Sequence, residues 1–421
     1  SVREALSDTG VRPEQLGRGI DRLLAGVPWL DRVLLLGLRN TFRRRGRLLL
    51  NLGLLATGGA MFLASLNVAL AWRQALADGM DARRFDAEVR LSRMEPSEAL
   101  LERVRAVPGV TVAEGWPLRE TSPVGEEAIS IRRTYPDGGH GSFLLRGAPP
   151  TSRLVSLSIL AGRWLTADDT DGVVLNHMAA AQFPDVQVGD AIALTAGGQT
   201  KTWRVVGVVR ELGAPATAYV ADTAFALAQG SAGQTNGLRL VFDSTDPVRR
   251  GEVMRAVTHA LDAGGTPVAA IITDVELRLA IDGHILIIVV LLLVLAVLMA
   301  FIGLLGLTAT LSTSVVERTR EFGVLQTLGG TPDTVLQVVV SEGVTIGLLS
   351  WGLALIGALP LSLLVGTVLG NLAFRITLPL VYSLPAVVIW LILVSGGAGI
   401  ASAFPAWRAA RLTIRQTLAF T

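Results

Sequence analysis

Two long segments without a charged residue constrain the fold of this chain more than any other feature. They run from Leu48 to Trp72 and from Ile285 to Val316. Each exceeds the ~20 apolar residues that an α-helix needs to cross ~30 Å of hydrocarbon. Both therefore predict transmembrane helices, and a buried core helix is the weaker alternative for the first segment.

Two further apolar segments predict a third and a fourth transmembrane helix. Val335 to Asn371 contains only Glu342 as a charged residue, and Leu384 to Ala406 contains none. The chain is 51% hydrophobic with a mean hydropathy of +0.52, yet it carries 37 basic and 35 acidic residues. This composition is typical of a membrane protein with a large aqueous domain.

The distribution of arginine predicts the orientation of these helices. Because basic residues concentrate in short cytoplasmic segments, both termini and the loop 317–334 are expected in the cytoplasm. The short loop between the last two spans holds only Arg375, so it is expected outside. The arginines that set the orientation flank the spans on the other side: Arg43, Arg44, Arg45, Arg47, Arg318, Arg320, Arg408, Arg411 and Arg415.

The long segment between the first two spans predicts a mixed α+β domain outside the cell. AEVRLSR, PSEALLERVRAV and GVTVAEGW read as strand, helix and strand, and LRLVFDS, PVRRGEVMRAVTHAL and PVAAIITD repeat this order near the end. The two units predict one lobe, and the short strands between them predict a second. The predicted fold class is therefore a membrane α-helical protein with four transmembrane helices and a large extracytoplasmic α+β domain inserted between helices 1 and 2.

The predicted domain organisation follows the chain in order. An N-terminal cytoplasmic linker with an amphipathic interfacial helix precedes the first span, and a cytoplasmic tail follows the last. The predicted ranges are 1–46 for the linker, 47–72 for the first span, 73–283 for the inserted domain (lobes 73–147 plus 236–283, and 148–235), 284–316 for the second span, 317–334 for a cytoplasmic loop, 335–371 and 383–407 for the last two spans, and 408–421 for the tail.

Four stretches in this order resemble a known family. They are ILAGRWL, VQVGDAIALTAGGQTKTWRVVGVVREL, VVERTREFGVLQTLGGTPDTVLQVVVSEG and FPAWRAARLTIRQTL. Together they resemble the MacB/FtsX-like permeases, which are the membrane subunits of type VII ABC transporters. The resemblance implies a non-catalytic subunit of a cytoplasmic membrane that transmits ATP-driven motion to its external domain. The consequence would be export or extraction of a lipid, lipoprotein, peptide or drug, or activation of an envelope enzyme. The use of arginine in place of lysine indicates a bacterial source.

The resemblance also implies the partners and the energy source. ATP and Mg²⁺ are expected in a partner ABC ATPase dimer, and a second permease copy or a preceding repeat half is expected beside this chain. Membrane lipid and an extracytoplasmic envelope protein are further expected partners. The sequence agrees, because the only lysine, Lys201, follows Thr200 and not the glycine of a phosphate-binding loop. A net charge of +2 gives no indication of nucleic-acid binding.

The cytoplasmic loop is the predicted coupling segment. Its charged cluster is followed by apolar residues at helical spacing, with Val324 among them, and then by glycines and a proline that end the helix. The resemblance implies that this segment contacts the ATPase; without it, an interfacial turn would be the simpler interpretation. The predicted coupling residues are Glu317, Arg318, Arg320, Glu321, Phe322, Leu325, Leu328 and Gly329.

Two polar features near the spans have simpler interpretations. Leu34 to Leu49 predicts an amphipathic helix on the inner membrane surface, with its arginines near anionic lipid. A carboxylate at mid-bilayer costs on the order of 2.5 to 3.5 kcal/mol. Glu342 lies near the cytoplasmic start of the third span, where interfacial water can reach it. We expect it to pair with an arginine of the coupling segment, while proton transport remains an alternative.

Catalysis by this chain is not expected. It has no cysteine, its four histidines are scattered without a zinc-binding pair, and Ser350 lacks the glycine of a nucleophile elbow. We therefore expect no catalytic, cofactor-binding or metal-binding residue. Two other functions stay open: a membrane-anchored scaffold or receptor without ATPase coupling, and an ion-coupled secondary transporter.

The first and last residues of the chain resemble each other. SVREALSDT at Ser1–Thr9 matches TIRQTLAFT at Thr413–Thr421 in residue type at most positions. In the resembled family the sequence after the last span runs along the cytoplasmic face. The echo therefore leads us to expect that Ser1 is not a natural start and that the chain is the C-terminal half of a tandem-repeat permease.

Overall fold

The computed structural model describes residue 41 and the ranges 45–124, 143–327 and 329–410, without the side chains of Arg45, His284, Arg320, Leu325, Phe374 and Ala409. The two similar terminal sequences, Ser1–Thr9 and Thr413–Thr421, and most of the predicted amphipathic helix lie outside these residues. The elements, in chain order, are α1 Arg45–Asp81, β1 Ala87–Pro96, α2 Ser97–Arg105, β2 Val110–Gly115, β3 Leu118–Pro123, β4 Phe143–Ala148, β5 Ser158–Gly162, β6 Gly172–Asn176, α3 His177–Ala180, β7 Ala191–Ala196, β8 Gln199–Arg210, β9 Ala216–Ala221, α4 Asp222–Gln229, β10 Gln234–Phe242, α5 Pro247–Ala263, β11 Val268–Thr273, α6 Asp274–Glu317, α7 Thr319–Thr327, α8 Pro332–Phe374 and α9 Leu384–Ala410.

Four of the described helices are long and apolar enough to cross a membrane. They are α1, α6, α8 and α9, and the longest, α6, has 44 residues. At ~1.5 Å per residue, α6 is more than twice as long as the ~30 Å hydrocarbon core is thick. Part of this helix must therefore extend beyond the membrane. Proline at the first position of α8 suits its start, because that position needs no backbone donor.

The chain divides into two compact units, of which the first, the membrane unit, contains the described residues within 1–70, 287–366 and 380–421. Its core joins the four long helices, and Phe62 stacks on Trp390 with ring centroids 5.3 Å apart. Asn67 fastens the unit by donating to the Ser362 hydroxyl and accepting from the Ser383 backbone N–H. Small residues let the helices approach closely, as small-xxx-small patterns do in membranes.

Replacing Gly343 with leucine is expected to destabilise the membrane unit by about 1 to 3 kcal/mol. A Cβ atom at this position would lie 2.6 Å from the Ser402 hydroxyl oxygen and 3.1 Å from the Ala398 carbonyl oxygen, so α8 and α9 would separate. The measurement is the thermal midpoint in detergent. Gly352→Leu is the control, because a Cβ there meets nothing within 4 Å; an equal loss in both variants would contradict the prediction.

The second unit contains residues 71–286 with 367–379, and we call residues 71–286 the inserted domain. One of its sheets is antiparallel and has the strand order β11-β1-β10-β2. The two strand–helix–strand units, β1-α2-β2 and β10-α5-β11, interleave in this sheet, which gives a ferredoxin-like arrangement. Helices α2 and α5 cover one face, where Val104 and Val257 pack on Val89 and Leu240.

The other sheet has seven strands in the order β5-β8-β6-β9-β4-β3-β7. Because β7 also pairs with β8, six of these strands close into a barrel, and β5 is attached outside it along β8. The two-residue turn of the β7–β8 hairpin consists of Gly197 and Gly198, both at positive φ, as tight hairpins require. The buried Trp203 lies in the barrel core.

One predicted lobe boundary in the inserted domain, the one at residues 147 and 148, is wrong. Residues 118–147 were expected in the lobe that holds both ends of the domain, but β3 and β4 pair with β7 and β9 in the barrel. Every residue of β4 is buried, so the strand lacks the polar and apolar alternation that marks a one-sided strand. The lobe formed from the two ends of the domain therefore stops near Trp116.

Candidate functional site

The predicted coupling segment forms the short helix α7 directly after α6. The Arg318 backbone N–H donates to the carbonyl oxygens of Ser314 and Val315, and the Phe322 N–H donates to the carbonyl of Arg318. Arg318 is thus the single residue between the two helices. After α7, Gly329 adopts a φ of +97°, where glycine is favoured, and its N–H donates to the Gln326 carbonyl.

Phe322 lies inside the membrane unit and not on the outer face of α7. Only 3% of it is exposed, and it packs with residues of α6, α8 and α9: Val315, Val335, Val339 and Ala406. Val324, two residues later, is 48% exposed because two helical steps turn the side chain by ~200°. The predicted single apolar stripe is therefore wrong for Phe322. Leu328 and the side chains of Arg320 and Leu325 lie outside the described part of the chain.

Arg318 ties α7 to α8. Its Nε lies 2.9 Å from a Glu321 carboxylate oxygen, and its Nη1 lies 3.4 Å from a carboxylate oxygen of Glu342. The guanidinium also lies over the Phe322 ring, 5.0 Å from its centroid. The Arg318 side chain is 14% exposed and that of Glu342 is 10% exposed. Glu342 therefore pairs with an arginine of the coupling segment, as the sequence led us to expect.

A second ion pair connects the start of α1 with the end of α6. Arg47 Nη2 lies 3.7 Å from a Glu317 carboxylate oxygen, and both side chains are more than a third exposed to solvent. We expected Arg47 to face lipid headgroups and did not predict this pair. The available signal was topological, since both residues were predicted on the same side of the membrane. We call the five residues of these ion pairs the coupling cluster: Arg47, Glu317, Arg318, Glu321 and Glu342.

A buried charge cluster in the inserted domain was not predicted. Arg146 on β4 donates two hydrogen bonds of 2.7 and 2.8 Å to the Glu88 carboxylate on β1. Arg90 donates to the same carboxylate, and Arg239 Nε on β10 lies 3.5 Å from it. Because β4 belongs to the barrel and β1 and β10 to the four-stranded sheet, these bonds join the two sheets.

The environment shifts the pKa values of this cluster strongly. Burial alone would raise the pKa of Glu88, but the charge and hydrogen bonds of Arg146, together with Arg239 and Arg90, hold it well below its usual range. Burial and the neighbouring Arg146 charge lower the pKa of Arg239. Arg239 lies between two aromatic rings, 3.8 Å from the centroid of Trp116 and 4.5 Å from that of Phe85.

Glu211 forms a smaller buried network beside this cluster. Its two carboxylate oxygens accept from the Tyr219 hydroxyl at 2.7 and 2.8 Å, and one also accepts from Asn176. Burial and the Glu211 charge raise the pKa of Tyr219, so the hydroxyl stays a donor. Among the described residues, no group of three or more His, Asp or Glu side chains is placed to hold a metal ion.

The fold defines the class of this protein as a multi-pass membrane protein with an extramembrane α+β domain inserted after its first apolar helix. Residues 293–414 match the family model described as FtsX-like permease C-terminal. The C-terminal part of the chain is therefore similar to the FtsX-like permeases, in agreement with the resemblance of the sequence motifs.

One curated relative and two solved structures are similar to parts of the chain. The chain is 23% identical over 198 residues to an uncharacterized ABC transporter permease of Methanocaldococcus jannaschii; the match covers 44% of this chain and 47% of the relative, or about half its length. The periplasmic region of MacB from Actinobacillus actinomycetemcomitans is 13% identical, covers 49% of this chain and 98% of that structure, and gives a TM-score of 0.33. The extracellular domain of the noncanonic ABC-type transporter YknZ from Gram-positive bacteria is 17% identical, covers 44% and 99%, and gives 0.30.

Proposed function

We propose that this chain transmits ATP-driven motion of a separate ABC ATPase to its inserted domain. It would work as the membrane subunit of an exporter, of an extractor of lipid, lipoprotein, peptide or drug, or of an activator of an envelope enzyme. ATP and Mg²⁺ would be bound by the partner ATPase dimer. In this proposal the chain contributes transmission and carries out no chemical step.

The observation that supports this proposal is the continuity of α6. The helix begins at Asp274, directly after strand β11 of the inserted domain, and ends at Glu317, directly before Arg318 and α7. An uninterrupted helix keeps all its backbone hydrogen bonds and carries a displacement along its length. A shift of α7 by a bound ATPase would therefore reach β11 without an intermediate loop.

The coupling cluster supports the same proposal at the other end of α6. Arg318 directly follows α6 and links α7 to α8 through Glu342. A load on α7 would thus reach two of the four long helices, α6 and α8, at once. Shifting a two-state equilibrium from 1:99 to 99:1 requires about 5.5 kcal/mol of differential binding. ATP-driven closure of two ATPase subunits is the source we propose for it.

The proposed placement puts the chain in a bacterial cytoplasmic membrane with both termini inside. The coupling segment then faces the cytoplasm, and residues 73–283 lie on the outer side. The excess of arginine around the coupling segment supports this orientation. A second permease copy or a preceding repeat half, lipid and an extracytoplasmic protein complete the proposed assembly.

Interrupting α6 tests the proposal. Four glycines inserted after Gly283 are expected to leave ATPase binding intact and to abolish the ATP-dependent change in hydrogen exchange of β1 and β11, because the insertion breaks the helix. The chain would be co-purified with each ABC ATPase of its source genome that lacks a membrane domain. Hydrogen exchange would then be measured by mass spectrometry with and without ATP.

Four alanines inserted at the same place provide the control, because alanine preserves the helix and lengthens it by ~6 Å. We expect this variant to keep an ATP-dependent change in exchange. An anchored scaffold or an ion-coupled transporter would show no ATP-dependent exchange in the unmodified chain. That outcome, or an ATP response that survives the glycine insertion, would contradict the proposal.

A further inference from the structure

A cavity of about 320 Å³ lies beside the buried charge cluster of the inserted domain. Its walls come from the four-stranded sheet on one side, from β9 and the residues before it on the other, and from the first turns of α6. Nothing in the proposed transmission of motion requires a cavity at this place. Its chemistry therefore needs its own explanation.

Positive charge dominates the inner wall of the cavity. Four arginines line it: Arg83, Arg90, Arg146 and Arg239. Of the two carboxylates between them, Glu88 is engaged by Arg146 and Arg90, and Glu211 by Tyr219 and Asn176. Both carboxylates thus already accept hydrogen bonds, and the Nε of Arg239 lies 3.5 Å from Glu88 without a hydrogen bond to it.

The acidic residues at the rim are also engaged. Asp274 forms an ion pair of 3.2 Å with Arg250, which pairs with Asp86 as well. Glu276 accepts hydrogen bonds from the backbone and the hydroxyl of Thr273. These carboxylates therefore already have partners within the inserted domain.

Arg239 is the strongest sign of a missing partner. Only 2% of this residue is exposed, yet its Nε and Nη1 atoms have no hydrogen-bond acceptor among the residues that the structure describes. The Nε atoms of Arg146 and Arg83 likewise have none within the same part of the chain. Buried N–H groups of arginine are costly when unpaired, and an oxyanion supplies the acceptor geometry that guanidinium groups prefer.

We infer that this cavity binds an oxyanion, a phosphate group in particular, through Arg239 and its neighbouring arginines. The apolar wall of the cavity is formed by Ile271, Leu277 and Pro215, so an apolar body attached to the phosphate fits beside the charge. The stacking of Arg239 between Phe85 and Trp116 fixes the guanidinium plane before the ligand arrives. The site is distinct from the coupling cluster and its test needs no ATPase.

Calorimetric titration of the full chain in a neutral maltoside detergent tests this inference. The probes are dihexanoyl phosphatidic acid and inorganic phosphate at constant ionic strength. Dihexanoyl phosphatidylcholine is the control ligand, because its choline group balances the charge of its phosphate. We expect saturable binding of at least one of the two anionic probes. Tighter binding of the phosphatidic acid would identify a lipid as the source, and equal binding would identify a free phosphate.

Two variants address the cavity from different sides. Arg239→Gln is expected to weaken the binding about tenfold or more, because it removes the charged donor. Leu277→Glu keeps every buried arginine, places a carboxylate on the apolar wall, and is expected to have a similar effect. The control is Arg204→Gln, which removes an exposed arginine paired with Asp171 and should leave the affinity unchanged.

The inference is overturned by either of two results. One is the absence of saturable binding of both anionic probes to the unmodified chain, which would mean that water alone satisfies Arg239. The other is an unchanged affinity in Leu277→Glu, which would place the binding elsewhere on the surface. Because Leu277→Glu leaves the buried cluster intact, a folding failure of Arg239→Gln does not prevent the decision.

Discussion

Replacing Glu88 with glutamine is expected to destabilise the inserted domain by about 3 to 5 kcal/mol. Glu88 is the one carboxylate that Arg146, Arg90 and Arg239 all face, and it is 6% exposed. Glutamine has the same shape but no charge, and its amide nitrogen would point a donor at donors. Buried guanidinium groups would then lack a counter-ion, and such losses are among the largest that single substitutions cause.

Local hydrogen exchange is the appropriate measurement because the chain has two units and need not unfold in one step. Faster exchange of β1 and β10 is expected in Glu88→Gln, with little change in α8 and α9. Asp171→Asn is the matched control: it removes a carboxylate whose ion pair with Arg204 is exposed, and such pairs contribute only about 0 to 1 kcal/mol. Equal protection of β1 in the two variants would show that the cluster does not hold the sheets together.

The pH dependence of hydrogen exchange in β1 and β10 tests independently whether the charged form of Glu88 stabilises the inserted domain. The pKa of Glu88 is held well below its usual range in the folded chain, whereas in the unfolded chain it is about 4.3. The stabilisation is therefore complete above about pH 4.3 and is lost as the pH falls through the lower, folded value. The difference between the wild type and Glu88→Gln should shrink over that interval.

The membrane part of the fold could be predicted because its signal is long and local. A charge-free run such as Ile285 to Val316 needs no partner to be recognised, since its length alone matches the bilayer. The structure adds that α6 starts at Asp274, so the helix extends past the apolar run in the direction of β11. Helix ends depend on capping and on neighbouring elements, which hydropathy does not report.

The buried charge cluster could not be predicted for a physical reason. Glu88 and Arg90 alternate with apolar residues in AEVRLSR, which is the pattern of a strand with one face in water. That face instead meets the barrel, where Arg146 lies 58 positions further along the chain. Only the pairing of distant strands reveals that the polar face is buried, and a single sequence does not contain this information.

The coupling segment shows an intermediate case. The helix and its charged start were predicted from spacing, but the distribution of its apolar residues was not. Phe322 packs in the core between α6, α8 and α9, so Val324 lies on the outer side of α7. Helical periodicity places residues on faces, but it does not say which face the rest of the same chain will cover.

Replacing Val324 with aspartate is expected to reduce permease-dependent stimulation of the partner ATPase by tenfold or more. Val324 is 48% exposed on α7, so an aspartate there is solvated in the free chain and should not alter its stability. In the proposed complex the same carboxylate would be buried against the ATPase without a partner, and an unpaired interfacial charge costs several kcal/mol. The measurement is ATP hydrolysis by the reconstituted complex, with co-purification as a second readout.

Val324→Thr is the matched control because threonine has the shape of valine and carries no charge. We expect it to keep most of the stimulation. Phe322→Ala is a contrasting variant: it should lower both stimulation and thermal stability, since it removes a ring that is 3% exposed from the core of the membrane unit. Full stimulation by Val324→Asp at normal expression would exclude the outer face of α7 as the docking surface.

Exchanging the charges of Arg47 and Glu317 distinguishes two roles of this ion pair: contact with the ATPase, and stabilisation of α1 against α6. Glu317→Arg alone places two like charges 3.7 Å apart in the present geometry, and Arg47→Glu in the same chain restores an ion pair of reversed polarity. If the pair only braces α1 against α6, the double variant recovers the stimulation lost in the single one. If the ATPase contacts the negative charge of Glu317, the double variant stays inactive, because position 317 still carries a positive charge. We expect the second result, since the side chains are 43% and 34% exposed and an exposed pair contributes little to stability.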